Sequence, residues 1–230
     1  MQISKVERLV NHLVLHSNDT PNIGLFDGKM GFVIVLFHYG HIHKSREFNI
    51  VAEKLLDNIL SSLTTHTPIN FATGLTGIGW GIEYLIQNNY IKGDSADICE
   101  VIDHKLMNIS FKRLTDLTLE TGIEGYLHYL NAHLQGIRNA FAYPDFLYEV
   151  REKLNSLMTD HPNCSAALCS LCNNYNSFFY SPIQYKFCPS EFYISSQITP
   201  PRGFLGLRRG ISGYIETTLV RKYETTVCNR

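Results

Sequence analysis

The stretch TPINFATGLTGIGWGIEYL, Thr67 to Leu85, decides the reading of this chain. A polar loop runs into a Gly-x-x-Gly pair, Gly74 and Gly77, and the pair opens a segment of aliphatic and aromatic residues with a single charge, Glu83. The same grammar returns in DGKMGFVIVLFHY from Asp27, TGIEGYLHYLNAHL from Thr121 and RGISGYIETTL from Arg209. Sixteen glycines scattered at random would give about one pair spaced i, i+3, yet the chain has five, so the spacing is architectural.

The first glycines, Gly28, Gly74, Gly122 and Gly210, stand 46, 48 and 88 residues apart. The last interval is close to two of the shorter ones, which places a unit without its signature near position 166, in NCSAALCSLCNNY. Between the glycine segments lie amphipathic patterns. Val51, Ala52, Leu55, Leu56, Ile59, Leu60 and Leu63 form one stripe at helical spacing, opposite Glu53, Lys54, Asp57 and Asn58. Similar helices are legible at Ile3 to Leu15, Ile98 to Ile109 and Phe146 to Met158, whereas the first glycine-headed segment is apolar nearly all round, as buried helices are. Alternating outer and inner helices with a repeat of this length must stack on their neighbours, which predicts an all-α fold of tandem helical hairpins in one domain over residues 1–230, as a solenoid or an α/α toroid. The aromatic, proline-interrupted segment from Asn176 to Phe204 reads as irregular.

The composition excludes some partners. With 20 Lys and Arg against 21 Asp and Glu the net charge is −1, which gives no footprint for nucleic acid. The one basic stretch, Arg208, Arg209, Arg221 and Lys222, is diluted by Glu216 and Glu224 and reads as a solvated helix face. The longest apolar run, Phe32 to Phe37, is far short of the roughly 20 residues a membrane-spanning helix needs. Lys5, Glu7 and Arg8 interrupt the place where a secretory signal would have its apolar core, so the expected location is cytoplasmic. Six cysteines in such a compartment point to reduced thiols or a metal, and away from a disulfide framework.

The four glycine-headed segments resemble the repeats of the lanthionine synthetase C-like family, over Gly24 to about Leu134 and again over Leu205 to Leu219. The resemblance implies a double-layered toroid of helices and a role in peptide modification. Family enzymes close thioether rings by adding a cysteine thiol across a dehydrated serine or threonine. A zinc ion lowers the thiol's pKa and a histidine works as acid or base. In the family that histidine directly precedes the first glycine of a pair, and the zinc ligands head later repeats as Cys-Tyr-Gly and Cys-His-Gly. Here the corresponding residues are Asp27, Thr73, Thr121 and Arg209. The resemblance therefore implies the fold without supplying the zinc site, and a noncatalytic peptide-binding scaffold stands beside the cyclase reading.

The glycines Gly28, Gly31, Gly74, Gly77, Gly122, Gly125, Gly210 and Gly213 read as structural, permitting the tight turn from loop to inner helix. Asp27, Lys29, Glu120, Glu124 and Arg209 are polar groups at the inner-helix heads, where a cavity mouth could grip a peptide. Asp27, Glu120 and Glu124 also admit a carbohydrate-active toroid, although acids near helix amino termini suit the helix dipole without further purpose. Cys164, Cys169, Cys172 and Cys188 could supply four thiolates to zinc, or be small buried thiols; the lone Cys99 and Cys228 carry no signal. His128 and His133, at i, i+5, do not share a helical face. An incomplete ring would expose an inner helix, so either a homodimer or closure by Asn176 to Phe204 is expected.

Overall fold

The computed structural model describes residues 4–137, 143–160, 164–194 and 203–227. Among the described residues there are nine α-helices and no strand: α1 Lys5–His16, α2 Lys29–His43, α3 Arg46–Ser61, α4 Leu75–Gln87, α5 Ser95–Met107, α6 Ile123–Gly136, α7 Pro144–Asp160, α8 Ala166–Ser177 and α9 Ile211–Val227. No helix among them is long and apolar enough to cross a membrane. Cys228, residues 195–202 of the irregular segment, and the side chains of Arg221, Lys222 and Glu224 lie outside the described residues.

The helices follow the repeat. Those headed by Gly-x-x-Gly (α2, α4, α6 and α9) are the inner ones, and α2 is buried at every position from Lys29 to Gly40. The amphipathic partners α1, α3, α5 and α7 bury one face each; in α3 that face is Ala52, Leu55, Leu56 and Ile59. Leu60 and Leu63 of the expected stripe differ, since Leu60 is exposed and Leu63 follows the helix end at Ser61. The segment near position 166 forms α8, capped by the Ser165 hydroxyl on Leu168 N. It packs on α6 but buries one face alone, Leu168, Leu171, Cys172 and Tyr175.

The packing divides the chain into two compact units, Met1–Thr67 with Cys188–Arg230, and Pro68–Phe187. In the first, α2 packs against α3 and α9, and α9 also against α1. In the second, α4 packs on α6 and α6 on α8, with α5 against α4 and α7 against α8.

The glycine pairs owe their spacing to one backbone crossing. The first residue of each inner helix donates its N–H to the carbonyl seven residues earlier: Lys29 to Asn22 at 2.9 Å, Leu75 to Pro68 at 2.8 Å, Ile123 to Asp116 at 2.9 Å and Ile211 to Phe204 at 2.8 Å. In α9 the crossing continues, Ser212 to Leu205 and Gly213 to Gly206. The loop thus lies on the first helical turn and takes N–H groups that a helix start leaves unpaired. A Cβ on the first glycine would fall against the carbonyl oxygen six residues back, Asn22 for Gly28, Pro68 for Gly74, Asp116 for Gly122 and Phe204 for Gly210. The second glycine meets the same obstacle at Leu25 for Gly31, Leu119 for Gly125 and Leu207 for Gly213.

Neighbouring inner helices also join in a repeated way. Phe71 and Ala72, before α4, both donate N–H to Glu120 O, before α6. Leu207 and Arg208, before α9, both donate to Phe26 O, before α2. Phe71 then fills the space beside Gly125, as Leu207 does beside Gly31. The last inner helix therefore precedes the first as α4 precedes α6.

These contacts predict that Gly125→Ala, which drives a methyl into Leu119 O and the Phe71 side chain, costs about 1–3 kcal/mol of stability. Gly203→Ala, which meets nothing within 4 Å, should stay within about 0.5 kcal/mol of the parent in urea unfolding.

Candidate functional site

A buried polar cluster forms where α4, α5 and α6 meet. His133 on α6 is hydrogen-bonded through Nδ1 to Glu83 Oε1 of α4 at 2.6 Å and through Nε2 to Asp103 Oδ2 of α5 at 2.9 Å. Tyr129 donates its hydroxyl to Asp103 Oδ1 at 2.6 Å, and Gln87 donates Nε2 to Glu83 Oε2 at 2.7 Å. All three residues are buried, with His133 1%, Glu83 0% and Asp103 7% exposed. Burial alone would lower the His133 pKa, but the hydrogen bonds to Asp103 and Glu83, and their charges, outweigh it and push the value up to about 9. Cys99 lies beside the cluster, and its thiol is held well above the usual range by burial and by the Glu83 and Asp103 charges.

A second polar group links α4 and α6 through the segment after α8. Tyr185 receives Trp80 Nε1–H on its hydroxyl oxygen at 2.8 Å, and that hydroxyl lies 2.6 Å from His128 Nδ1. With a neutral imidazole, either Nδ1 accepts the phenol's proton or Nδ1–H donates to the phenol oxygen. Desolvation agrees, lowering His128 to about 4. His128 and His133 thus serve opposite chemistries from one helix, as their i, i+5 offset implies.

Between the carboxyl ends of α4 and α6 and residues Phe178 to Lys186 opens a cavity of about 1200 Å³. Ile86, Leu134, Phe178 and Pro182 give it apolar walls, and Gln87, Asn89, Gln135 and Gln184 give it carboxamides. Gln135 accepts from Tyr185 N at 2.6 Å and donates to Tyr185 O at 3.2 Å, so one carboxamide already reads both backbone groups of an extended residue. It also donates to Gln87 Oε1 at 2.9 Å, which connects the cavity wall to Glu83.

The head residues singled out by sequence fall elsewhere. Asp27 and Arg209 are exposed in the unit that holds α2 and α9. Lys29 is buried, its ammonium donating to Asn58 Oδ1 of α3 at 2.6 Å, and so does not line a cavity mouth. Glu120 and Glu124 are half-buried in the other unit, where the Glu120 carbonyl holds the junction before α4. Glu216, expected on a solvated face, is fully buried and hydrogen-bonded to His38 of α2 at 2.6 Å. Arg208 lays its guanidinium over Phe26 and donates to Phe192 O.

The thiol expectations are corrected likewise. Cys164 and Cys169 join in a disulfide across the Ser165 cap and first turn of α8. Cys172 is buried, with its pKa pushed up to about 11 by desolvation, and Cys188 belongs to the other unit. With Cys164 and Cys169 bonded to each other, the four cannot supply four thiolates to zinc. Among the described residues, the set of three ligand types that does converge is Glu83, Cys99 and His133. The sequence signal for it was a lone carboxylate inside the apolar α4.

Replacing His133 with Leu should cost about 3–5 kcal/mol, because Glu83 and Asp103 would be left buried without their imidazole, and adding Glu83→Gln should recover part of the loss. For His128 the folded value lies below the unfolded one, near 6.5. Its contribution is therefore intact above that pH and lost as pH falls toward about 4. Between pH 7 and 5 the parent should lose about 2 kcal/mol more than His128→Asn in urea titrations.

No family model matches the chain, and no curated protein or solved structure matches it either.

Proposed function

We propose that this chain is a lanthionine synthetase C-like helical-repeat protein, built as an α/α toroid, that holds an extended peptide without closing thioether rings in it. The observation that carries the reading is Gln135, which pairs with the N–H and C=O of Tyr185 at the wall of a cavity where three more carboxamides alternate with apolar side chains. Carboxamides reproduce the donor and acceptor of a peptide bond, and apolar pockets beside them suit alternate side chains of an extended ligand. The head-to-tail junction of α9 with α2, alike to that of α4 with α6, supports the toroidal resemblance.

The cyclase alternative asks for a metal, a thiolate and an acid-base group at the inner-helix heads. The residues at those heads are Asp27, Thr73, Thr121 and Arg209, and the N–H groups there are taken by loop carbonyls. They do not fit the family's zinc. A cytoplasmic location goes with this reading, and there the Cys164–Cys169 pair is open to reduction.

A peptide with one dehydroalanine and one cysteine a few residues apart separates the alternatives. The protein should bind it, with affinity reduced about tenfold by Asn89→Ala with Gln184→Ala, about 1.4 kcal/mol, and the peptide cysteine should remain open to alkylation after prolonged incubation. Loss of that free thiol in the presence of protein would mean cyclisation, and affinity unmoved by the double variant would place the peptide elsewhere.

A further inference from the structure

We propose that Glu83, Cys99 and His133 form a buried divalent-cation site, with zinc as the ion that fits it and Asp103 as its outer carboxylate. A carboxylate oxygen, a thiol sulfur and an imidazole nitrogen, one each from α4, α5 and α6, all lie within 4.8 Å of one another, and all three residues are buried. An oxygen, a sulfur and a nitrogen donor together suit a borderline-soft ion such as zinc; magnesium and calcium prefer oxygen alone.

The surroundings are those of a metal ligand set. With Nδ1, the nitrogen facing Glu83, as donor, Nε2 keeps its proton and its 2.9 Å bond to Asp103, the carboxylate–histidine–metal arrangement that fixes ring orientation. Asp103 is held in turn by Tyr129, and the second Glu83 oxygen by Gln87. Each direct ligand or its support is therefore already aimed.

The charge balance also closes. A divalent ion enters as two protons leave, one from the Nδ1–Glu83 hydrogen bond and one from the Cys99 thiol, so the net charge of the buried cluster is unchanged. Ligand atoms on a tetrahedral ion with bonds of about 2.0–2.2 Å sit about 3.3 Å apart, so the 2.6 Å pair of Nδ1 and Oε1 has to open by about 0.7 Å, within the reach of side-chain torsions. Gln87 and Gly136 both line the 1200 Å³ cavity and both adjoin Glu83 Oε2, which leaves the ion one side chain away from solvent.

No peptide is needed to test the site, because the metal alone can be titrated. Reduced full-length protein stripped with a chelator should take up one zinc per chain, and cobalt(II) should give a sulfur-to-cobalt charge-transfer band with tetrahedral visible bands. Cys99→Ser should abolish the charge-transfer band, Cys172→Ala and Cys188→Ala should keep it, and Asp103→Asn should weaken affinity about 10–100-fold. X-ray absorption of the zinc-loaded parent, which needs no variant, should find one sulfur at about 2.3 Å with nitrogen or oxygen neighbours at about 2.0 Å. No stoichiometric uptake, a band that survives Cys99→Ser, or a zinc shell with no sulfur or more than one would each overturn the assignment.

Discussion

A loop backbone that crosses the first turn of a helix at hydrogen-bonding distance leaves no space for a side chain between them. Each inner helix with a Gly-x-x-Gly head begins under such a crossing, and much else follows from it. The i, i+3 interval places both glycines on the face under the loop, because residues three apart are neighbours on a helix. The crossing also fills the helix amino terminus with carbonyl oxygens, which removes the N–H groups that could otherwise receive a phosphate or carboxylate. The heads of the inner helices are therefore joints. The open cavity lies at the other end, beyond the carboxyl ends of α4 and α6.

The joints set which polar groups can meet inside. In the pair α4–α6 the earlier helix supplies Glu83 and the later one His133; in the pair α9–α2 the earlier supplies Glu216 and the later His38, and both separations are 2.6 Å. A buried carboxylate–imidazole pair is weak evidence of net stabilisation, since desolvation offsets most of the attraction. It does penalise misregister, because a shift of one helical turn would strand both polar groups without a partner in an apolar interior. Recurrence of this pair at two matching junctions is consistent with registry as its first service.

The fold was legible because its cause is local. Glycine spacing, apolar runs and the stripe through Ala52, Leu55, Leu56 and Ile59 depend on residues near in sequence, and even α8 was located by interval alone. The cluster was not legible, because its members come from three helices over a span of fifty residues and only packing brings them together. Glu83 in the apolar run of α4 was the one visible anomaly. Side-chain directions at the ends and faces of the inner helices were hidden for a related reason: Lys29 turns to Asn58, and Glu216, which reads as part of a solvated face, turns inward, choices that neighbouring helices make. Within the Asn176 to Phe204 segment, the place of Tyr185 was unreadable since it is set by distant partners, Gln135 and Trp80.

Gln87 ties the legible and illegible parts together. Its carboxamide nitrogen is spent on Glu83 and on Ala132 O, so its oxygen has a fixed direction, and that oxygen orients Gln135. Gln135 then presents one acceptor and one donor to an extended backbone, here Tyr185. A carboxamide free to rotate would present either edge and lose rotamer entropy on choosing. The buried acid therefore preorganises the cavity wall two residues away: by holding Gln87, Glu83 decides which edge of Gln135 faces Tyr185. Cavity and cluster form one hydrogen-bonded network, and any ion or proton that moves Glu83 acts on the wall through it.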